Sequence, residues 1–261
     1  MRKLPFDKYD LYRRAVQSPE DDVRFLREIY RKLKHREPKT LREDFCGTAA
    51  MSTEWVKLNK SHKAFGVDLD PEPVAYGEKH YLSALQPEQR GRIHLALKNV
   101  LHRGLPKADI SVGLNFSYFL FKSRPLLREY FKNVHRSLNP KGIAVFDVFG
   151  GTQCTDAIED RTRHKGFTYF WDQKDFDPVT NYANFGIHFK VGKRKHKNVF
   201  TYDWRMWSIP ELKEILHEAG FPKAEVYWEG TSRDGGGSGN FRKVTKGESC
   251  LAWIAYIIAE K

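Results

Sequence analysis

Cysteine is scarce in this 261-residue chain. The three present, Cys46, Cys154 and Cys250, form no CxxC pair and cannot build a disulfide framework. A reducing cytoplasm is the compartment that suits such a chain. Long apolar runs are missing as well: the longest, LAWIAYIIA at 251–259, is too short to span a bilayer, and the amino-terminal MRKLPFDKYD lacks the apolar centre of a signal peptide. No membrane partner is expected. The ten histidines do not stand at ligand intervals from carboxylates or cysteines, so no metal centre is expected either. There is no GxSxG elbow and no P-loop, which removes two common hydrolase and nucleotide-hydrolysing readings. Acidic residues are outnumbered, 33 against 45 Lys and Arg, leaving a formal net charge of +12. That balance permits attraction to RNA and equally describes a solvated basic surface. The densest basic run, KVGKRKHK at 190–197, reads as a hairpin tip.

What the chain does have is LREDFCGTAAMS, Leu41 to Ser52, followed by KAFGVDLDP, whose Asp68 lies 21 positions after Gly47. A strand ending in acidic residues, a tight turn, a helix and a second strand ending in Asp is the outline of a βαβ nucleotide-binding unit. Gly47 lets a ligand approach the unpaired N–H groups at the helix start without a Cβ in the way. Asp68, at a strand's carboxyl end, can accept two hydrogen bonds from a ribose diol. An adenosine is the expected ligand. FCGTAA keeps one glycine of the G-x-G-x-x-G that seats a pyrophosphate, which argues against an NAD-dependent oxidoreductase.

The rest of the chain places this unit. SPEDDVRFLREIYRKLKHR reads as a helix capped by Ser18 and opened by Pro19, lying in an amino-terminal extension over residues 1–40. A second helix opens at Pro71 and carries Val74, Tyr81, Leu82 and Leu85. RIHLALKNVL and ADISVGLNF read as strands, SRPLLREYFKNVHRSL as a helix, and GIAVFDVFG as a buried parallel strand. Residues 151–207 break this alternation. GFTYFWD, NYANFGIHFKV and NVFTYDWRMWS alternate with period two and are rich in aromatics, so an antiparallel β insertion is expected after the fifth strand. SIPELKEILHEAGF then gives a helix with a capping box of Ser208 and Glu211. AEVYWEG and CLAWIAYIIAE supply two last strands around a mobile loop at 231–249. The predicted fold is a doubly wound α/β domain. It has a seven-stranded, mostly parallel sheet whose last strand is antiparallel.

These motifs resemble those of the class I S-adenosylmethionine-dependent methyltransferases. Glu43 stands at the acidic position of the first motif, Cys46, Gly47 and Thr48 match its C-G-T core, and Phe45 and Ala49 replace the outer glycines. GVDLDP is similar to the second motif, with Asp68 as the ribose ligand and Leu69 against adenine. KNVL resembles the third, with Asn99 and Val100 at the adenine edge. NFSYF resembles the fourth, placing Asn115 and Phe116 at the methionine end. The resemblance implies S-adenosylmethionine as cofactor and one methyltransferase domain over 1–261. It covers roughly residues 41–149 and returns at 208–260.

Methyl transfer from a sulfonium asks the protein mainly to align the acceptor and exclude water. Tyr118 borders the expected acceptor pocket, where it could orient an acceptor or take its proton as the catalytic residue. The insertion would form a lid whose Trp171, Tyr202, Trp204 and Arg205 meet the substrate, and layout alone adds Tyr12 from above. A small-molecule acceptor suits a compact lid. RNA or protein methylation, or a non-catalytic binding protein of the same fold, are the alternatives.

Overall fold

The computed structural model describes residues 4–232 and 236–261. Asp7 caps the first helix, α1 (Lys8–Val16), by accepting from the N–H groups of Tyr9 and Asp10. The sequence reading began the helical region at Ser18, because KYDLYRRAV has too few apolar residues to mark a period. In α2 (Pro19–Lys34) Glu20, Asp21 and Asp22 sit at the positive end of the helix dipole, and Arg31, Lys32 and Lys34 at the negative end.

Strand and helix then alternate through β1 (Thr40–Asp44), α3 (Ala50–Leu58), β2 (Lys63–Asp68), α4 (Pro71–His80), the single turn α5 (Pro87–Arg90), β3 (Ile93–Leu97), β4 (Ala108–Gly113), α6 (Arg124–Ser137) and β5 (Leu138–Gly150). The α4 helix stops before Tyr81, Leu82 and Leu85, which the sequence reading had placed on it. The antiparallel sheet follows as β6 (Ile158–His164), β7 (Phe167–Asp177), β8 (Tyr182–Val191) and β9 (Arg194–Arg205). It has four strands where the apolar pattern marked three, because IEDRTRH of β6 is almost wholly solvent-facing. The chain ends with α7 (Ile209–Glu218), β10 (Lys223–Thr231), β11 (Gly237–Val244) and β12 (Trp253–Glu260).

The main sheet has the order β11-β10-β12-β5-β4-β1-β2-β3. Its four central pairings from β3 to β5 are parallel, and β12 runs antiparallel to β5. The seven expected strands are in place, and β11 adds an eighth at the edge. It comes from the segment read as a loop, of which residues 233–235 lie outside the described residues. Phe241 anchors it, 4.2 Å from the Tyr256 ring and 5.6 Å from Phe25; glycines and charges on either side hide that anchor in the sequence.

Helices α2, α3 and α4 cover one face of the sheet around Leu26, Tyr30, Trp55 and Val74, and α6 and α7 cover the other around Phe131, Phe146 and Leu216. Between them the sheet buries an ion pair, Arg42 with Asp44, both wholly inaccessible. Arg42 also donates to Ser111, Ser137 and the Pro106 carbonyl, while Asp44 accepts from Tyr130. Only such full satisfaction makes a buried pair tolerable, and removing one partner costs about 3–5 kcal/mol. Strand order reverses between β1 and β4, so the crevice for a ligand opens above their carboxyl ends.

Candidate functional site

The turn that leaves β1 lies in this crevice. Phe45, Gly47 and Ala49 all have left-handed backbones, with φ of 58°, 50° and 56°. An L-residue in that region costs roughly 1–2 kcal/mol, so Phe45 and Ala49 hold a conformation that glycine would adopt freely. Packing supplies the compensation: the Phe45 ring turns away from the crevice onto Tyr130 and Phe121, at 5.5 and 5.9 Å, and Ala49 is fully buried. At Gly47 a Cβ would meet nothing within 4 Å, which leaves the backbone open to a ligand. Gly77 of α4 fixes the turn from behind. A Cβ there would lie 2.0 Å from the Thr48 carbonyl oxygen, so only glycine allows α4 to press against it.

Carboxylates face this turn. Asp68 accepts from the Gly47 N–H at 2.7 Å and, with its other oxygen, from the Asp70 N–H at 2.9 Å. Beside it the side chains of Leu69 and Leu97 are 67% and 57% exposed, an apolar pair left uncovered at the strand ends. Glu43 is buried and accepts from the N–H and hydroxyl of Ser52, while its Oε1 has no hydrogen bond among the described residues. Burial pushes Glu43 up to about 7, with Asp68 and Asp22 adding repulsion. Cys46 is buried too, and burial together with Glu43 and Asp68 drives its thiol well above the usual range, which removes it as a nucleophile. Asn99 is exposed and spends its side-chain oxygen on the Leu101 N–H, with Val100 buried beneath.

Above β4 the chain makes a second left-handed turn, at Asn115 and Phe116, both with φ of 55°. Asp147 of β5 holds it. Its carboxylate is buried and accepts from the backbone of Phe116 at 2.9 Å and from that of Asn115. Burial pushes Asp147 up to about 8 against those two bonds.

No protein-family model and no curated protein matches the sequence. Solved structures do match over the full length. An S-adenosylmethionine-dependent methyltransferase from Clostridium acetobutylicum is 16% identical with a TM-score of 0.68, over 97% of this chain and 96% of that one. CalS10, an amino pentose methyltransferase from Micromonospora echinaspora, is 16% identical at 0.67, over 100% and 99%. DesVI from Streptomyces venezuelae is 15% identical at 0.68, over 98% and 99%. The chain has the class I methyltransferase fold.

Within this methyltransferase fold the turn at 45–49 holds three left-handed positions although only one of them is glycine. Other expected site residues lie differently. Tyr118 is fully buried among Phe119, Phe131 and Phe146, and its hydroxyl donates to the Asp147 carbonyl at 2.6 Å. It clamps the second turn and does not present its hydroxyl to an acceptor, because the turn at 115–116 reverses the chain and sends the ring inward. Arg205 stacks its guanidinium 3.8 Å over Trp207 and bonds Glu211 and the Lys122 carbonyl, so it ties the insertion to α7 instead of facing a substrate. Trp204 is buried against Phe116 and Phe119 and seals the insertion to the second turn.

Trp171 and Tyr202 are partly accessible on the inner face of the insertion, where Trp171 stacks on Phe185. Tyr12 comes from α1, 5.0 Å from Phe200, with its hydroxyl within reach of Tyr202. Burial pushes Tyr12 up to about 12, with Asp147 among the charges acting on it, and raises Tyr169 and Tyr202 further. α1 bridges the two halves of the molecule: Lys8 pairs with Glu72 of α4, Asp7 accepts from Tyr76, and Leu11 packs with Ile187 and Phe189.

Sequence reasoning missed three groups. Asp147 had a visible signal, as the lone charge in the apolar run GIAVFDVFG. Asp22 follows two acidic residues of a helix start and looks solvated. In the structure it lies 3.4 Å from the Tyr256 hydroxyl, and burial pushes it up to about 6. Gly77 is one glycine inside a helix, and nothing local announces its neighbour Thr48.

Proposed function

We propose that this protein transfers a methyl group from S-adenosylmethionine to an amine of a small molecule. The observation that carries the cofactor is the turn at 45–49, which keeps three left-handed positions opposite Asp68. The residues present fit such a cofactor. Asp68 would take the ribose hydroxyls, Leu69 and Leu97 would flank adenine with Val100 below, and Glu43 would face the methionine ammonium. The backbone at Gly47 and the side chain of Asn115 would complete the methionine end. When bound, the cofactor supplies a methyl group on a sulfonium, an already activated donor.

The acceptor class follows from charge. In a chain of net charge +12, the charges acting most strongly on Glu43 and Asp147 are other carboxylates, Asp68 and Asp22. An interior of that sign disfavours a carboxylate or phosphate acceptor and suits an amine, which attacks in its neutral form. CalS10 is named as an amino pentose methyltransferase and KedS8 as a sugar N-methyltransferase, which supports the same reading. Tyr12, Tyr202 and Trp171 would then line the acceptor side, and the insertion with α1 would act as the lid that holds water out. The neutral amine lone pair would approach the methyl carbon opposite sulfur. The N–C bond would form as the C–S bond breaks to leave S-adenosylhomocysteine and a methylammonium that loses its proton to solvent, so alignment and desolvation carry most of the rate.

The test is mass spectrometry after incubation with S-adenosylmethionine and a panel of amino sugars and other small amines. Addition of one methyl to an amine is expected, and transfer confined to hydroxyl or carboxyl acceptors would overturn the amine assignment. RNA methylation is the second reading, favoured by the net charge and the basic tip at 190–197. It demands affinity that falls steeply with salt. In either case the three unpaired cysteines suit a reducing compartment. No helix among the described residues is long and apolar enough to cross a membrane.

A further inference from the structure

The outer face of the inserted sheet, turned away from Tyr12 and Tyr202, sorts its charges by register. Arg163, Thr168, Lys190 and Lys195 lie opposite one another across four strands, and the next row is Arg161, Phe170 and His188. A third row carries Glu159 and Asp172. The acids are already engaged: Glu159 with Lys195, and Asp172 with His188 at 3.0 Å. Lys195 crosses to Glu159 over the Phe170 ring, 3.9 Å from its centre.

Among the cations this leaves without an acid, three share one concavity. Arg161, Arg163 and Lys190 border a cleft of about 450 Å³, floored by Thr168 and Phe170, with no carboxylate in its lining. None of the three side chains has a hydrogen bond or ion pair among the described residues. At the hairpin end of the cleft the Nε2 atom of His164 is buried without a partner, its ring stacked on Phe167 at 4.8 Å. Arg124 and Arg128, by contrast, share Glu218. Leaving three like charges unpaired around one concavity is unfavourable until an anion enters.

We infer that this cleft is a binding site for a small diphosphate ester, separate from the methyl-transfer crevice. The spacing selects the ligand. Arg161 and Arg163 are two residues apart on one strand, about 6.8 Å, and Lys190 is two strands from Arg163, about 9.5 Å. A carboxylate satisfies one guanidinium of such a set, whereas two linked phosphates reach both arginines and the ammonium and use the planar forks bidentately. The cleft exceeds what inorganic phosphate fills and lies within the range of small-ligand sites. The Thr168 hydroxyl offers the neutral contact a phosphate oxygen or its ester group needs.

Isothermal titration of the full chain with inorganic pyrophosphate, then with adenosine diphosphate, tests this directly. Both are expected to bind, the nucleotide more tightly. Arg161→Gln and Arg163→Gln should each weaken binding roughly tenfold or more, one fork contact being worth about that factor. Lys32→Gln, an exposed unpaired lysine on α2, should leave it unchanged. Equal losses in all three variants would mean general charge attraction and would sink the site. So would a single-stranded oligonucleotide that displaces pyrophosphate and binds far more tightly, which would make the face a nucleic-acid surface. Because S-adenosylhomocysteine binding can be followed in the same samples, failure of this site and failure of the methyltransferase reading give separate signals.

Discussion

Replacing Asp147 by asparagine should stabilise the protein at alkaline pH and cost up to about 1–3 kcal/mol at acid pH. The carboxyl is pushed up to about 8 in the folded chain by burial, against an ordinary value of about 3.9. Below the ordinary value it is protonated folded and unfolded, and contributes no pH dependence. As pH rises from there towards 8, the unfolded chain releases a proton that the folded chain keeps, so folding stability falls. Beyond 8 the full penalty is reached and stays constant. Four units at ~1.4 kcal/mol each set an upper bound of about 6 kcal/mol. Asparagine keeps an oxygen for the Phe116 N–H but brings an amide NH₂ that needs its own acceptor, at a cost of about 1–3 kcal/mol if unmet. The net gain expected at about pH 9 is therefore at most about 3–5 kcal/mol, or roughly 6–20 °C in Tm for a chain of this size. Urea unfolding of both proteins at a series of pH values measures it. A variant no more stable than the parent at about pH 9, with equal m-values, would refute the claim that Asp147 is a buried carboxyl kept protonated by the fold.

Three further outcomes follow from the same geometry. Asp68→Ala removes an acceptor from the turn and from any bound ribose, and should weaken S-adenosylhomocysteine binding by about 2–4 kcal/mol; unchanged affinity in a folded variant would mean the motif has been misassigned. Ala49→Gly releases left-handed strain of roughly 1–2 kcal/mol and loses about half of that to unfolded-state freedom and the lost methyl. A net stabilisation of about 0.5–1 kcal/mol by urea titration is expected, and a loss would show the turn is not strained there. Tyr118→Phe leaves the Asp147 carbonyl without its donor and should cost about 1–3 kcal/mol of stability with cofactor affinity unchanged. Loss of methyl transfer in a stable variant would return Tyr118 to the chemistry.

The parts legible in the sequence were those carried by local pattern. Alternating apolar runs and turn residues gave the strand and helix sequence from residue 40 onward, and Gly47 with Asp68 marked the crevice. Features set by contacts far apart in the chain were not legible. Phe45 reads as an intruder at a glycine position until Tyr130 and Phe121 are seen to receive its ring. Tyr118 and Arg205 carry chemistry-bearing groups next to the expected pocket, yet one points into the core and the other into the joint with α7. β6 and β11 lie at sheet edges with most of their side chains in solvent, so no hydrophobic period reveals them. Helix α1 exists because Asp7 caps it and because Leu11 and Tyr12 dock on the inserted sheet, a partner more than 150 residues away.

The most direct test of the central claim is a thermal-shift titration with S-adenosylhomocysteine, with NAD as control. A ligand at about 100 times its dissociation constant adds about 2.7 kcal/mol, which at roughly 2–4 °C per kcal/mol gives a rise of several degrees. A rise with the homocysteine nucleoside and none with NAD is the predicted result. No rise with either, or a rise with NAD alone, would contradict the assignment of the turn at 45–49 and Asp68 to this cofactor.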